Sequence, residues 1–538
     1  MKIVTSDEMR RLDREAVDTY GIPVLLLMEQ AGMGVVREME RRFGDLAGRS
    51  IVIAAGKGHN GGDGLVAARH LLQRGAHVRV FLAFPAPAMQ GEAKTQAEIV
   101  RRLGGSILDP SAFDRAAFRS ALDDADLAID ALVGTGLSSP LSGFLAELVG
   151  DLNAARAPVV AVDLPSGISA DTGEVLGAAV RAELTVTFAL PKRGHFLPPG
   201  SEHTGELRVV DIGIPKRALD QPALTLSLFG EADAAARVPG RPREGHKGTF
   251  GHVLVVAGSV GRSGAAILTS RAALRAGAGL TTLACPESVL RSGEEKPAEI
   301  MTLPLPETAE HTLAARALDP LLSAAKQATV VAIGPGLSTH PETQSVVREL
   351  IARLTVPMVI DADGLNALAD HLDPLRRPHP PMVLTPHPGE MGRLTRLGAR
   401  EVQRRRIDLA ADFARAHQAV VVLKGARTVV AAPDGRTTIN PTGNAGMATA
   451  GTGDALTGAI AAFMAQGLSA EDAARLGVYV HGLAGDAVAA ERGERGMLAG
   501  DLVEGIPGAL RRLAPRPSEP PSRLFKRTRP TGATRSDS

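Results

Sequence analysis

The chain has 538 residues, of which 44% are hydrophobic and 22% are charged. Its 60 lysines and arginines against 59 aspartates and glutamates leave a formal net charge of +1, so no global electrostatic field recruits DNA or an anionic membrane. Aromatic residues make up only 3%, which argues against stacking platforms for single-stranded nucleic acid or sugars. The single cysteine, Cys285, excludes an intrachain disulfide framework and a multi-cysteine zinc site.

The sequence predicts neither a signal peptide nor a membrane span. The first residues, MKIVTSDEMRR, are charged and hold no apolar signal core, and no apolar run approaches the roughly 20 residues of a membrane span. We therefore expect a soluble, cytoplasmic protein. Glycine is abundant, with 59 residues, and this excess is the first feature that a function has to explain.

The first part of the chain predicts two helices and then alternating strands and helices. Thr5 and Glu8 fit a capping box for the first helix, and a second helical stretch covers about 27–43. Apolar runs that end in glycine, aspartate or serine predict buried parallel strands, and they lie at 51–55, 78–83, 127–133, 159–164, 185–189 and 207–212. Residues 1–215 therefore predict a doubly wound, Rossmann-like α/β domain.

A second α/β domain is predicted after a proline-rich segment. Residues 216–229 are expected to be a linker, residues 230–514 the second domain, and the basic Pro/Ser-rich residues 515–538 a disordered tail. The strands predicted for this domain lie at 253–257, 280–284, 330–333, 358–361, 382–385, 420–423 and 428–432.

A glycine-rich turn follows the first predicted strand. Residues 56–64 hold five glycines, and a helical pattern begins at Leu65. Such a turn aims several backbone N–H groups at one point beside a helix N-terminus, an arrangement that binds phosphate or pyrophosphate. A tight turn without a ligand is the alternative, but the density of glycine, together with Asn60 and Asp63, favours a site.

Two further strand ends carry polar side chains. Asp130 precedes a Gly-Thr-Gly turn, and Asp163 and Ser166 follow the next strand; ligand sites in open parallel sheets lie at such carboxyl ends. The oxygens of Asn60, Asp130 and Ser166 suit a hard, weakly charged cation better than zinc. Asp163 could transfer a proton if it lies near a sugar or nicotinamide ring. The alternative for each acid is a turn or a helix cap.

These motifs closely resemble the YjeF N-terminal domain, the NAD(P)H-hydrate epimerase family, over about residues 1–215. The resemblance implies interconversion of the two epimers of hydrated NADH or NADPH, in which the nicotinamide ring carries a hydroxyl at C6. It implies that Asn60, Asp130 and Ser166 hold K⁺ and that Asp163 is the catalytic residue at the reacting ring. His59 stands where the family usually has a second asparagine.

The same resemblance implies a set of substrate contacts in the first domain. They are His59, Asn60, Gly61, Gly62, Asp63, Gly134, Thr135, Gly136, Leu137, Ser138, Ser139, Pro140 and Asp163.

A second candidate site lies near the end of the chain, where a Gly-Thr-Gly-Asp sequence at 451–454 opens a helical pattern. Backbone N–H groups and the helix dipole there would stabilise a transferring phosphoryl group, while Asp454 accepts the proton of the attacking hydroxyl. No Gly-x-x-x-x-Gly-Lys-Ser/Thr loop is present, which argues against a P-loop NTPase. The cluster of Asp361, Asp363 and Asn366 favours turn and capping roles over metal binding.

This second region resembles the ribokinase-like superfamily, and within it the NAD(P)H-hydrate dehydratase branch, over about residues 230–512. The resemblance rests on His-Lys-Gly at 246–248, Thr-Pro-His-Pro-Gly-Glu at 385–390 and Lys-Gly-Ala-Arg-Thr at 424–428. It implies that ADP phosphorylates the C6 hydroxyl of the S epimer and that phosphate then leaves, which restores NADH or NADPH and gives AMP.

The dehydratase resemblance also implies site residues. Ala265, Gly336, His387 and Asp454 would contact the hydrate, with Asp454 as the catalytic base, and Mg²⁺ would bind with ADP through phosphates and water. The residues expected to hold the nucleotide are Lys424, Gly425, Ala426, Arg427, Thr428 and Gly453.

Together these patterns predict a bifunctional nicotinamide-nucleotide repair enzyme. Its partners would be hydrated NADH and NADPH, ADP, K⁺ and further copies of the chain in a homo-oligomer, with no nucleic acid or membrane. Two alternatives stay open at this point. One is an ATP-dependent kinase for a vitamin precursor or sugar, and the other is a dinucleotide-sensing or scaffold protein whose first domain binds without catalysis.

Overall fold

The computed structural model describes residues 1–137, 139–291 and 298–514. Ser138, a predicted substrate contact, and the predicted disordered tail at 515–538 lie outside the described residues.

The first half of the chain forms one parallel sheet. Within the described residues its seven strands stand in the order β3-β2-β1-β4-β5-β6-β7, which is the doubly wound arrangement and confirms the predicted fold class. The strands are β1 (Ser50–Ala55), β2 (His77–Leu82), β3 (Ser106–Leu108), β4 (Leu127–Ala131), β5 (Val159–Val162), β6 (Leu184–Phe188) and β7 (Glu206–Val210). The helices are α1 (Ser6–Asp18), α2 (Val24–Phe43), α3 (His59–Gln73), α4 (Gly91–Arg102), α5 (Arg115–Asp123), α6 (Gly143–Ala154) and α7 (Gly200–His203).

Both faces of this sheet are buried, as apolar strands require. Ile51 and Ile53 of β1 pack into one core cluster, while Val52 and Ala54 pack into another on the opposite face. This alternation leaves the strand ends as the places where polar side chains reach a ligand.

The glycine-rich turn is shorter than predicted, because α3 begins at His59 and not at Leu65. Glycine is a poor helix former, so the sequence understates this helix. The glycines are there because α3 lies very close to its neighbours: a Cβ placed on Gly61 would lie 1.8 Å from the Gly56 carbonyl oxygen, and one on Gly64 would lie 2.5 Å from Ala131 Cβ.

The second sheet holds ten strands in the described residues, in the order β11-β10-β9-β12-β13-β14-β15-β16-β17-β8. Pairing is parallel from β11 to β15, and β16 runs antiparallel to both of its neighbours. The strands are β8 (Leu226–Leu228), β9 (His252–Val256), β10 (Leu280–Pro286), β11 (Met301–Leu305), β12 (Val330–Ile333), β13 (Met358–Ile360), β14 (Met382–Leu384), β15 (Val420–Leu423), β16 (Val429–Ala431) and β17 (Thr437–Ile439).

Helices cover this sheet as well, in the ribokinase-like α/β arrangement that the sequence predicts. They are α9 (Glu231–Ala235), α10 (Ser263–Arg275), α11 (Glu287–Arg291), α12 (Leu318–Ala325), α13 (Pro341–Arg353), α14 (Ala362–Leu368), α15 (Asp373–Arg376), α16 (Pro388–Thr395), α17 (Ala399–Arg404), α18 (Arg406–His417), α19 (Thr452–Ala465), α20 (Ala470–Arg492) and α21 (Ala499–Leu513). The short helix α8 (Lys216–Leu219) instead packs on the first domain, where Ala218 lies in the core.

The predicted linker at 216–229 contains structure of its own. It holds α8 and the edge strand β8, which pairs with β17 in the second sheet. The N-terminal residues run alongside it: Ile3 N donates to Leu226 O over 3.0 Å, and Val4 N donates to Pro191 O over 3.0 Å. Ile3 is buried in the core of the second domain. The start of the chain therefore joins the edge of the second sheet to the segment that follows β6.

Among the helices of the described residues, none has the length and the apolar character of a membrane span.

Candidate active sites

A cavity of about 940 Å³ opens at the carboxyl edge of the first sheet. Residues after six neighbouring strands line it, and α1 and α2 contribute further lining. Parallel strands bring their carboxyl ends to one edge, which is where ligands bind in open α/β sheets.

Seven of the predicted substrate contacts line this cavity, namely His59, Asn60, Asp63, Gly134, Thr135, Gly136 and Asp163. Gly61 and Gly62 are buried in the first turn of α3. Leu137 packs partly buried against a core cluster, and Ser139 and Pro140 are exposed on the same loop. The structure thus brings the turn, the Gly-Thr-Gly segment and Asp163 together.

Asp163 forms a buried ion pair with Lys192, which follows β6. Lys192 Nζ lies 2.5 Å from Asp163 Oδ1, and Thr187 Oγ1 donates to the same oxygen over 3.0 Å. Burial opposes ionisation of Asp163, but the ammonium of Lys192 outweighs it and holds the pKa of Asp163 below its usual value. The structure therefore places an ionised carboxylate in the cavity wall.

The backbone around Asp163 is held in a left-handed conformation, with φ of +64°. Its N–H donates to Val186 O over 2.8 Å. His195 Nδ1 accepts from Lys192 N over 2.9 Å, so its protonated Nε2 donates to the Asp163 carbonyl, also over 2.9 Å. Burial and the nearby Lys192 charge lower the pKa of His195 to about 4, which keeps the ring neutral in this role.

Two other carboxyl groups in the cavity behave differently from Asp163. Burial raises the pKa of Asp13, on α1, to about 6, against the opposing charge of Lys192. Burial and the charge of Asp163 raise the pKa of Asp63, on α3, well above its usual value. One cavity therefore holds an ionised carboxylate beside carboxyl groups that favour the protonated form.

Two of the predicted cation ligands, Asp130 and Ser166, contact each other, and the third, Asn60, lines the cavity. Ser166 Oγ donates to Asp130 Oδ1 over 2.6 Å, and Ser166 N donates to Asp130 Oδ2 over 2.8 Å. In the amide orientation that satisfies both neighbours, Asn60 donates to Val162 O over 3.0 Å and accepts from Gly134 N over 3.3 Å.

Asp130 is fully buried, and burial raises its pKa to about 6 despite these hydrogen bonds. Within the described residues no basic side chain pairs with it, so its charge is uncompensated. Oxygen donors around an uncompensated carboxylate fit an alkali cation, and Asn60, Asp130 and Ser166 could hold one.

The second domain also buries a lysine against an aspartate. Lys424, after β15, places Nζ 2.5 Å from Asp361 Oδ1, and Thr457 Oγ1 of α19 donates to Asp361 Oδ2 over 2.8 Å. Asp361 stands at the N-cap position of α14 but makes no cap hydrogen bond, so the predicted capping role is wrong for this residue. Asp363 Oδ2 accepts from Ser338 N over 2.8 Å, a contact with a separate loop, so the predicted capping role stays a prediction for this residue.

Asp454 lies beside this pair in the first turn of α19. The residue before the helix, Gly451, has φ of +90°, which glycine adopts without strain. Burial and the charge of Asp361 raise the pKa of Asp454 to about 6, with Lys424 opposing. A Cβ placed on Gly453 would lie 3.3 Å from Lys424 Nζ, so the predicted base and the predicted nucleotide lysine are neighbours.

His387 is the N-cap residue of α16 and lies near the Lys424–Asp361 pair. Its Nδ1 accepts from Gly389 N over 2.9 Å, and its Nε2 lies 3.4 Å from Glu390 Oε1. Burial and the nearby Lys424 charge lower its pKa. Gly336 and Ala265, two of the predicted hydrate contacts, are neighbours. A Cβ placed on Gly336 would lie 3.3 Å from Ala265 Cβ.

The loop at 424–428, predicted to hold the nucleotide, is braced from behind by Arg406 of α18. This buried guanidinium donates to Ala426 O over 2.8 Å and to Leu423 O over 3.1 Å. Within the loop, Thr428 Oγ1 donates to Gly425 O over 3.0 Å, and Arg427 reaches Pro441 O over 2.5 Å. The backbone of the loop is thereby fixed before any ligand arrives.

Sequence reasoning missed several residues that build these sites. Those in the first domain are Asp13, Lys192 and His195, and those in the second are Glu390, Arg406 and Thr457. Lys192 and His195 follow a predicted strand, so the rule applied to Asp163 could have found them. Arg406 and Thr457 lie within helices, where no local pattern marks them.

Comparison with family models gives two matches. Residues 25–194 match the family described as YjeF-related protein N-terminus, and residues 253–508 match the family described as NAD(P)H-hydrate dehydratase.

Full-length relatives are similar along almost the whole chain. The bifunctional NAD(P)H-hydrate repair enzyme of Moorella thermoacetica is 50% identical over 95% of this chain and 97% of that protein. The enzyme of the same description from Thermofilum pendens is 43% identical over 95% of this chain and 97% of its own length. Among solved structures, the ADP/ATP-dependent NAD(P)H-hydrate dehydratase of Bacillus subtilis, co-crystallised with ATP and Mg²⁺, is 32% identical, with a TM-score of 0.46, and covers 53% of this chain and 98% of that one.

The buried Asp163–Lys192 pair predicts a strong and non-additive effect on stability. Lys192→Met leaves a buried, unpaired carboxylate, and we expect the unfolding free energy of the first domain to fall by about 3–5 kcal/mol. The double variant Lys192→Met/Asp163→Asn should recover part of that loss. Urea denaturation measures the unfolding free energies of the single and the double variant. The control is Arg376, which belongs to an exposed ion pair, and Arg376→Met should change the unfolding free energy by at most about 1 kcal/mol. Equal losses for Lys192→Met and Arg376→Met would refute the pairing.

His195 predicts a pH dependence of stability. Its pKa of about 4 in the folded protein lies below the ordinary value, so between pH about 6.5 and 4 the unfolded chain binds one more proton. The unfolding free energy should therefore fall as the pH falls through this window, by about 3 kcal/mol from this group. His195→Gln should remove that contribution, and His77→Gln, at an exposed position, should keep it. Identical pH slopes in the wild type and His195→Gln would contradict the assignment.

Proposed function

The chain belongs to the family of bifunctional NAD(P)H-hydrate repair enzymes, and from that premise we propose how its two sites divide the reaction. The first domain epimerises the R and S forms of hydrated NADH and NADPH at the 940 Å³ cavity. The second domain dehydrates the S form with ADP and returns NADH or NADPH, AMP and phosphate. Epimerisation makes the whole hydrate pool available to a dehydratase that accepts one epimer.

One observation carries the dehydratase proposal: Asp454 lies at the N-terminus of α19 beside the Lys424–Asp361 pair. Asp454 takes the proton of the C6 hydroxyl, and that oxygen attacks the terminal phosphorus of ADP, which releases AMP. The C6–O bond then breaks with its electron pair leaving on phosphate, and the C5 proton is lost to solvent, which restores the ring double bond.

The residues around Asp454 support this chemistry. The N–H groups at the start of α19 and the Lys424 ammonium face the position of the transferring phosphoryl group. The loop at 424–428, braced by Arg406, would position the nucleotide. Mg²⁺, when bound with ADP, neutralises part of the phosphate charge.

In the first domain, Asp163 is proposed as a proton acceptor at the reacting ring, because Lys192 keeps it ionised. We propose that K⁺ is held by Asn60, Asp130 and Ser166 and supplies the positive charge that Asp130 lacks. The cytoplasmic location and the homo-oligomer stay predictions.

The two activities should separate by single substitutions in the full-length protein. With a mixture of both epimers and ADP, we expect Asp454→Asn to slow the return of NADH absorbance by about 10²–10⁴-fold while the epimers still equilibrate. The Asp163→Asn variant should still dehydrate the S epimer but leave the R epimer unconverted. Chiral chromatography of the hydrate detects the R epimer that remains. The exposed Asp412→Asn is the control and should behave as the wild type. No nucleotide-dependent return of NADH in the wild type would overturn the dehydratase assignment.

Replacing K⁺ by Na⁺ should slow epimerisation and lower the unfolding temperature of the first domain, because a smaller ion fits the Asn60, Asp130 and Ser166 oxygens poorly. Asp130→Asn removes the charge that attracts the ion and should abolish the difference between the two salts. Asp163→Asn, outside the cation cluster, should keep the difference in unfolding temperature. Equal unfolding temperatures of the wild type in both salts would show that the cation site is wrong.

A further inference from the structure

Asp13 lines the first cavity, but it has no role in the epimerisation proposed for Asp163. It lies on α1, whose start is fixed by the Thr5–Glu8 capping box and whose buried face includes Met9 and Leu12. Packing of that face aims Asp13 into the cavity, where it shares the lining with Asp163 and Lys192. The helix thus brings a further carboxyl group to the cavity that Asp163 lines.

The carboxyl group of Asp13 has no structural task in the described part of the chain, where it makes no hydrogen bond or ion pair. Three other acids of the same helix have partners: Asp7 pairs with Arg10, Glu8 caps the helix, and Glu15 accepts from Gln221 over 2.6 Å. The fourth, Asp18, also makes no such contact within the described residues, but it is exposed to solvent, whereas Asp13 is partly buried. A partly buried acid without a partner is costly to keep, which points to a partner that arrives with the substrate.

Several titratable and charged groups line the cavity together with Asp13. They come from its own helix, from the turn after β1, from α3 and from the ends of β5 and β6, and they are Arg10, Arg14, Asp18, Lys57, His59, Asp63, Asp163 and Lys192. Burial dominates over these charges and raises the pKa of Asp13 to about 6, whereas Asp163 is held ionised. Two carboxyl groups with separated pKa values are the usual arrangement of an acid and a base.

We propose that Asp13 is a second catalytic carboxyl group of the epimerase site and acts as the acid that complements Asp163. The proposal rests on the proposed function, since it concerns the proton transfers that epimerisation at C6 requires. Inverting this carbon means breaking one of its bonds and re-forming that bond on the other face, which needs a proton donor and a proton acceptor together.

Four proton transfers accompany the breaking and re-forming of the C6–N1 bond. Asp163 takes the proton of the C6 hydroxyl, the C6–N1 bond breaks with its electron pair going to N1, and Asp13 donates its proton to N1. The ring is then open, with an aldehyde at C6. Rotation about the C5–C6 bond presents the other aldehyde face to N1, the bond re-forms, N1 returns its proton to Asp13, and the oxygen recovers its proton from Asp163. Both carboxyl groups end in their starting states.

The test uses the full-length enzyme without ADP, so that only epimerisation of purified R or S hydrate is followed by chiral chromatography. We expect Asp13→Asn to lower kcat by about 10²–10⁴-fold with KM unchanged, and Asp13→Glu to retain part of the activity. Asp7→Asn, on the same helix but in an exposed pair, should match the wild type. A raised KM with unchanged kcat in Asp13→Asn would mean a binding role and overturn the proposal.

The pH profile adds a readout that a structural role would not move. The wild-type kcat should fall as the pH rises above about 6, the pKa of Asp13, and this descending limb should be absent from the residual activity of Asp13→Asn. A wild-type profile without that limb overturns the proposal even if the variant fails to fold. Loss of epimerisation in the wild type would instead refute the proposed function, whereas a fully active Asp13→Asn refutes only the role of Asp13.

Discussion

Each domain is organised around one lysine that contacts one buried aspartate at the carboxyl edge of a parallel sheet, and the lysine is fully buried in the first domain and mostly buried in the second. In the first domain Lys192 pairs with Asp163, and in the second Lys424 pairs with Asp361, both over 2.5 Å. A threonine hydroxyl, of Thr187 or Thr457, donates to the same aspartate in each case. Such a pair is tolerated in a buried place only when its geometry and hydrogen bonds are nearly complete, so the surrounding backbone has little freedom.

That constraint sets the protonation of neighbouring groups. An ionised aspartate adds repulsion to the desolvation of any carboxyl group beside it, and the pKa values of Asp13 and Asp454 both rise to about 6. The lysine limits the rise by offering an opposing charge. Each site therefore combines a fixed ion pair with a carboxyl group that can gain or lose a proton near neutral pH, as a general acid or base requires.

The sequence was informative where one strand end could be interpreted alone. Buried apolar runs identified the sheet cores, and Asp163 and Asp454 were singled out by their local motifs. The start of α3 was misplaced because glycines that serve close packing look like turn residues. The three-residue strands β3, β8 and β17 were missed. The edge strand β11 was also missed, because Pro304 interrupts its pattern, which an edge strand tolerates. Pairing of Lys192 with Asp163 spans 29 residues and depends on strand order, which local patterns do not encode.

The segment that carries Lys192 also connects the domains. Val4 holds it on one side, and the next residue, Arg193, pairs with Asp408 of α18 over 3.0 Å. The same helix carries Arg406, which braces the loop at 424–428. Contacts that fix the epimerase lysine therefore lead through one helix to the loop proposed to hold the nucleotide. An isolated first domain would lose Asp408 and the β8–β17 edge that supports the N-terminal residues, so joining the domains contributes to the geometry of the first site as well as to the order of the two reactions.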